Sequence, residues 1–309
     1  MPRLRLNTMD FDHLPSLFDD LEMRDFHIPE TPAIHFISFG SGSSGNCSYV
    51  GNDNEGFLID AGVSPDKVIP ELKRRGIKLS SVRGILITHD HGDHIRYVYK
   101  LLKKAPHMAL YATPKALGGI FRRHTISTRV RDYHRPIYIE TPFKIGAFEI
   151  TAFQTPHDGT DNVGFFISLG TLTMAVATDL GSITDRVDYY MRRARHIVIE
   201  SNYDADMLRR GRYPEYLKAR IVAPNGHLDN TVTASFLASI YTPSLSHIFL
   251  CHLSDENNEP RIAIKTVTDA LTAAGITVGD ASGSLETRDA DVQLYALPRF
   301  EPSLYFTLK

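Results

Sequence analysis

Thr88-His89-Asp90-His91-Gly92-Asp93-His94 follows directly on Gly84-Ile85-Leu86-Ile87, an apolar run with the length and composition of a buried strand. The stretch packs imidazoles and carboxylates into one loop at a strand end. Neutral imidazole and carboxylate are donors that suit zinc, manganese and iron, and their alternation lets the loop turn residues 89 and 91 toward one cation and 93 and 94 toward another. A merely solvated polar loop would need no such spacing. The H-x-H-x-D-H pattern is rare enough by chance to count as a strong short motif.

The same arrangement recurs along the chain. Apolar residues 148–153 precede His157, 173–177 precede Asp179, 197–199 precede Glu200 and 248–250 precede His252. Buried strands that present polar groups from their ends make a rigid platform beneath mobile loops. Upstream, 34–39 reads as a strand, 40–46 as a Gly/Ser loop, and 48–50 with 56–59 as a hairpin. From Pro65 to Arg75, Val68, Ile69 and Leu72 form the stripe of a helix that Gly76 closes. Further helices are expected at about 95–104, 114–122, 184–194, 204–220, 230–240 and 260–274. Clustered strands with helices interleaved predict an α/β fold, two sheets packed together and covered by helices. Residues 1–31 differ in texture: acidic and apolar groups alternate (Phe18-Asp19-Asp20-Leu21-Glu22) up to Pro29 and Pro32, and they read as an N-terminal extension.

A chain of 309 residues with 42% hydrophobic content can bury one large core. Its formal net charge of -2 provides no overall basic field for nucleic acid or anionic lipid, so any polyanion contact must be local. Cys47 and Cys251 stand far apart and no basic start precedes an apolar stretch, so neither a disulfide framework nor a signal peptide is expected and the setting reads as cytoplasmic. No apolar run approaches the roughly 18 residues a bilayer demands, which predicts no membrane partner.

The motif at residues 89–94 resembles the signature of the metallo-β-lactamase superfamily. The resemblance extends over about residues 34–260, through Ser41-Gly42-Ser43-Ser44-Gly45-Asn46, Leu58-Ile59-Asp60-Ala61-Gly62, Ala177-Thr178-Asp179-Leu180-Gly181, Glu200-Ser201-Asn202, Gly226-His227-Leu228 and His252-Leu253-Ser254-Asp255-Glu256-Asn257-Asn258. That combination is similar to the YycJ (WalJ) subgroup, associated with exonuclease action on DNA. It implies a four-layer αββα sandwich for the catalytic domain, residues 32–309, and two divalent cations, zinc or manganese with iron a further candidate. It also implies that His89, His91 and His157 hold one ion, that Asp93, His94 and His252 hold the other, and that Asp179 bridges them. On the same basis the chain is expected to be a phosphodiester hydrolase that shortens DNA from its ends in the 5′-to-3′ direction, with Asp93 and Asp179 catalytic; His227 is expected to join them as a catalytic residue on its position in the chain alone.

Other residues keep two readings. Asp60 ends an apolar strand either as a turn cap or, as the resemblance implies, as the acceptor that orients the histidine loop. His227 has no metal left to bind; it contacts a phosphate, protonates a leaving oxygen, or is structural. The 42–46 loop offers backbone N–H groups and the side chains of Ser44 and Asn46 to a phosphate, or is a plain turn. Asn202 follows a strand and is expected at the same mouth, as a substrate-binding residue. Basic clusters at Arg122-Arg123, Arg192-Arg193-Ala194-Arg195 and Arg209-Arg210-Gly211-Arg212 are solvated faces or a track for nucleic acid, with Tyr189, Tyr190, Tyr203, Tyr213 and Tyr216 near them as core or stacking residues. The rival functions are a small-molecule phosphodiesterase, an ester or thioester hydrolase, and a non-catalytic binding protein of the same fold. Every ligand position is filled, which speaks against the last.

Overall fold

The central apolar runs form strands whose two faces are both covered. The computed structural model describes residues 32–283, 287 and 289–309, so the expected extension at 1–31 lies outside the described residues. The first strands are β1 (Ile34–Gly40), β2 (Cys47–Gly51), β3 (Gly56–Ile59), β4 (Val82–Leu86), β5 (Ala109–Ala112) and β6 (His134–Pro136). After them come β7 (Phe143–Ile145), β8 (Phe148–Gln154), β9 (Val163–Leu169), β10 (Leu172–Ala177), β11 (His196–Glu200) and β12 (His247–Cys251). The last are β13 (Val278–Asp280), β14 (Val292–Ala296) and β15 (Phe306–Leu308). One sheet has the order β15-β1-β2-β3-β4-β5-β6 and the other β13-β14-β12-β11-β10-β9-β8-β7.

Side chains alternate across each strand, and in the central strands both directions are apolar. In β10, Leu172, Met174 and Val176 join Phe36, Phe57, Phe165 and Phe249 in the core between the sheets, while Ala175 and Ala177 turn outward. The helices Asp185–Met191, Asn230–Ile240 and Pro260–Ala273 cover that outer face through Val187, Leu237 and Val267. On the other sheet, Leu72, Leu101 and Ile120 from the helices Pro65–Arg74, Val98–Lys104 and Pro114–Arg123 pack with Ile37, Leu58 and Ile85. The result is the four-layer αββα arrangement the sequence predicts.

The structure corrects several boundaries. The helix expected at 204–220 is two, Ala205–Arg210 and Glu215–Ile221, because Gly211 and Pro214 interrupt it and Pro214 becomes the N-cap of the second. The helix expected at 95–104 is also divided: a first turn, Gly92–Ile95, begins inside the histidine motif with His91 as N-cap. The segment beyond Gly275 completes both sheets, β14 running parallel beside β12 and β15 antiparallel beside β1. Among the described residues no helix is long and apolar enough to cross a membrane.

Parallel pairing gives the fold its working edge. β10, β11, β12 and β14 run parallel, as do β3, β4 and β5, so Asp60, Thr88, Asp179, Glu200 and His252 all lie at or just past carboxyl ends of strands. At the other end of β11, His196 pairs in register with His247, its ring 5.3 Å away. His196 is fully buried with neither ring nitrogen hydrogen-bonded, and burial, reinforced by His247 and Arg195, drives its pKa down to about 3. The folded state thus holds this ring neutral, while the unfolded chain takes up a proton below about pH 6.5. Stability contributed above that pH is lost as pH falls toward 3. We expect His196→Leu to lose about 2 kcal/mol less stability than the parent between pH 7 and pH 5. Urea unfolding at both values checks this, and equal losses would refute it.

Candidate metal centre

Asp60 sets the histidine loop in place. Just past β3 it turns into left-handed backbone (φ 61), a conformation that aspartate tolerates better than most residues. Its Oδ1 accepts the Thr88 N–H at 2.9 Å, and its Oδ2 accepts from Thr88 Oγ1 at 2.8 Å and from His94 Nδ1 at 2.7 Å. With Nδ1 engaged, His94 keeps Nε2 as its donor atom. The loop is clamped again through its backbone, since Ala61 N–H donates to His94 O at 2.7 Å and Asn46 N–H to Asp93 O at 2.8 Å. Gly62 permits this approach: a Cβ there would lie 1.5 Å from Asp93 O.

The second sheet supplies the facing donors. His157, three residues past β8, engages Gly226 O through Nδ1 at 3.0 Å. Asp179 (φ 55) and His252 (φ 54) leave β10 and β12 in the same left-handed conformation as Asp60. Glu200, fully buried at the end of β11, accepts from His227 Nδ1 at 2.7 Å and His252 Nδ1 at 2.9 Å on Oε1. Its Oε2 accepts the Leu180 and Leu228 N–H groups at 2.8 and 3.1 Å. Burial would raise its pKa, yet His227 and His252 hold it down at about 2. In the sequence Glu200 was marked as a strand end and as part of the Glu200-Ser201-Asn202 stretch of the resemblance, but it was given no role.

These elements bring the expected residues together. Single donor atoms of His89, His91 and His157 lie within 4.8 Å of one another, as do those of His89, His94 and Asp179, and those of Asp93, His94 and His252. Asp179 reaches both sides: Oδ1 is 3.6 Å from His157 Nε2 and 3.5 Å from His252 Nε2, and Oδ2 is 3.3 Å from His94 Nε2. His89 Nε2, His252 Nε2 and Asp179 Oδ2 are buried without a hydrogen-bond partner, a cost that a native interior seldom carries without reason. Burial, with the neighbouring imidazoles, pushes the His89 pKa well down. Burial opposes the charged forms of His94 and His252 too, but Asp179 with Asp60 and Glu200 outweighs it and raises both, His252 to about 10. The carboxylates thus draw positive charge into the cluster. A divalent cation satisfies the same demand while leaving imidazole nitrogens unprotonated to ligate, so the residues fit metal.

A cleft of about 240 Å³ opens beside the cluster, lined by His157, Asn202, His227 and His252 among others. Asn202 stands there as expected, its Nδ2 donating to His252 O at 2.7 Å. Asn46 does not line it: the side chain is buried, accepting the Gly42 N–H at 2.8 Å and donating to Asp93 Oδ2 at 3.2 Å, so it braces the loop. Ser44 faces a neighbouring cleft, and Ser43 lines this one instead. Of the tyrosines only Tyr213 lines the cleft; Tyr190 and Tyr203 are buried, and Tyr190 donates to Glu140 at 2.6 Å. Arg192, Arg193 and Arg195 lie toward the start of β11, away from Glu200, and Arg209 pairs with Asp206. Two residues the sequence did not single out join the rim, Asp158 beside His91 and Arg220 beside Asp158.

A family model described as a beta-lactamase superfamily domain matches residues 56–248. Exodeoxyribonuclease YycJ of Bacillus anthracis is 33% identical over 261 residues, covering 84% of this chain and 97% of the relative. Exodeoxyribonuclease WalJ of Streptococcus pneumoniae is 32% identical over 240 residues, covering 77% and 88%. The chain belongs to the YycJ/WalJ family of the beta-lactamase superfamily. The fold is shared more widely: the metallo-beta-lactamase fold protein YhfI of Bacillus subtilis superposes with a TM-score of 0.64 at 14% identity, over 90% of this chain and 100% of that one.

Because the Gly62–Asp93 approach seats the whole loop, Gly62→Ala is expected to destabilise the protein by about 1–3 kcal/mol as the backbone is forced apart. Denaturant unfolding checks this; an unchanged midpoint would show that the loop yields without cost.

Proposed function

We propose that this chain is a dinuclear metal-dependent phosphodiester hydrolase that removes nucleotides from DNA ends. The observation that carries the reading is the convergence of the unpartnered His89 Nε2, His252 Nε2 and Asp179 Oδ2 beside an open cleft. Similarity over most of the chain to two proteins named exodeoxyribonuclease supports DNA as the substrate. In this reading His89, His91 and His157 hold one cation, Asp93, His94 and His252 hold the other, and Asp179 serves both; zinc and manganese suit such donors. When bound, a pair of this kind supplies a hydroxide nucleophile near neutral pH and offsets charge on the reacting phosphate.

The protein's own residues supply orientation and a proton. Asp60, Gly226 O and Glu200 each occupy the Nδ1 of one imidazole, of His94, His157 and His252 respectively, so that Nε2 is the donor in all three. His227 is held through Nδ1 by Glu200 and lines the cleft, which leaves Nε2 to pass a proton to the leaving alkoxide. Asn202 fixes the backbone of His252 at the same rim.

The direct test is metal-reconstituted protein on end-labelled DNA. Progressive shortening from an end is expected; cleavage of simple diesters with no action on DNA would overturn the substrate. Metal analysis is expected to return close to two ions per chain, and one or none after reconstitution would overturn the dinuclear reading. His227→Ala is expected to lower turnover on DNA by roughly 10² to 10⁴-fold with metal content unchanged, and to affect an activated substrate with a good leaving group much less. Equal loss on both would make His227 a phosphate contact, and loss of metal would make it a ligand.

A further inference from the structure

Two guanidinium groups line the cleft beside the donor cluster, and each is fixed by a different part of the chain. Arg220, on the helix Glu215–Ile221, donates through Nε to Asp158 Oδ2 at 2.7 Å. The other oxygen of Asp158 is 3.2 Å from His91 Nε2 and 3.5 Å from His157 Nε2, so one carboxylate separates this cation from the donors. The Arg220 side chain is 58% exposed, and both of its Nη groups are left for a ligand. Arg299 comes from the connection between β14 and β15. Its Nη1 donates to Leu253 O at 2.5 Å and its Nη2 to Ser43 Oγ at 2.8 Å.

Arg299 is far more enclosed, at 17% side-chain exposure, and its Nε is buried with no hydrogen-bond partner. Its bonded neighbours are neutral. The nearest carboxylate, Asp255, lies 3.8 Å from Nε and is itself 58% exposed, which makes it a weak counter-charge. A fixed, poorly neutralised guanidinium with N–H groups to spare is an anion-binding group, and its planar fork matches phosphate.

We propose that Arg220 and Arg299 form a two-point clamp on consecutive backbone phosphates, so that the cleft selects a strand carrying at least two phosphates over an isolated phosphodiester. The clamp rests on the reading of the cluster as a phosphodiesterase centre and names what that centre recognises. Arg220 contacts the phosphate next to the donors and Arg299 contacts the adjacent one. Asp158 is a positioning residue for Arg220.

The test compares the thymidine dinucleotide TpT, with one phosphate, and the trinucleotide TpTpT, with two, on metal-loaded full-length protein. The parent is expected to favour the trinucleotide in kcat/KM by about 10- to 100-fold, the range of a charge-assisted hydrogen bond, and Arg299→Gln to erase that preference mainly through KM. Arg220→Gln is expected to lower both substrates alike. On the unaltered protein, whatever the variants do to folding, log kcat/KM for the trinucleotide should fall with log salt more steeply than for the dinucleotide, by about 0.7. A preference that survives Arg299→Gln, a loss in Arg220→Gln confined to the trinucleotide, or equal salt slopes would each overturn the clamp. Equal kcat/KM for both oligonucleotides in the parent sinks the clamp alone. A parent that cleaves bis(p-nitrophenyl) phosphate but neither oligonucleotide sinks the nucleic-acid reading, and the clamp with it.

Discussion

Asp60, Asp179 and His252 each leave a strand with positive φ, and the geometry of the centre depends on those three turns. A left-handed non-glycine residue costs on the order of 1–3 kcal/mol and persists only where its surroundings over-determine it. At Asp60 the backbone N–H is held by Leu86 O at 2.8 Å, and the carboxylate takes three more hydrogen bonds. After Asp179, the Leu180 N–H is held by Glu200, and the His252 N–H is held by Ser41 Oγ at 2.8 Å. Each strand therefore stops abruptly, and its last polar side chain stays at the sheet edge.

The second constraint is electrostatic. His94, His157 and His252 each commit Nδ1 to a fixed acceptor, which settles the orientation of the ring from behind. Asp179 differs, since both of its oxygens point among imidazoles from the two sheets. The outer acceptors thus hold the donor atoms close together, although that closeness is unfavourable to the donors themselves. Function here is stored as a local cost, and the hydrogen bonds around it and the apolar core between the sheets offset that cost.

Sequence alone carried the features whose physics is local. The 89–94 motif declares itself by spacing; His157, Asp179 and His252 are marked by the strands that end before them, and the resemblance is what made them ligands. Glu200 ends a strand in the same way, but its role could not be read, because its partners His227 and His252 lie 27 and 52 positions away and its remaining oxygen is bonded to backbone N–H groups. The serine facing the cleft was missed by one residue, since the phase of a Gly/Ser loop depends on contacts such as that of Asn46 with Gly42, not on pattern. The arginines at 192–195 read as a solvated face or a binding track, and β11 places them at the edge opposite Glu200. Strands as short as β6, β7 and β13, three residues each, show no periodicity to read.

The end of the chain shows how a segment without a motif still shapes the site. β14 belongs to one sheet and β15 to the other, so the residues between them must cross the sandwich. Along that crossing Leu297 N–H donates to Leu250 O at 2.8 Å, Arg299 O accepts from Ser41 N–H at 3.3 Å, and Ser303 N–H donates to Ser38 O at 2.8 Å. The crossing is pinned by Phe306, whose ring sits 4.8 Å from that of Phe249 and 6.4 Å from that of Phe36. Burying such a ring contributes about 1.5–3 kcal/mol and is indifferent to what it anchors. Arg299, by contrast, is placed by directional bonds to Leu253 and Ser43, on two of the loops that line the cleft. Hydrophobic burial therefore brings the segment back to the site, and hydrogen bonding aims it; a sequence reading that follows apolar pattern can find the first and has no access to the second.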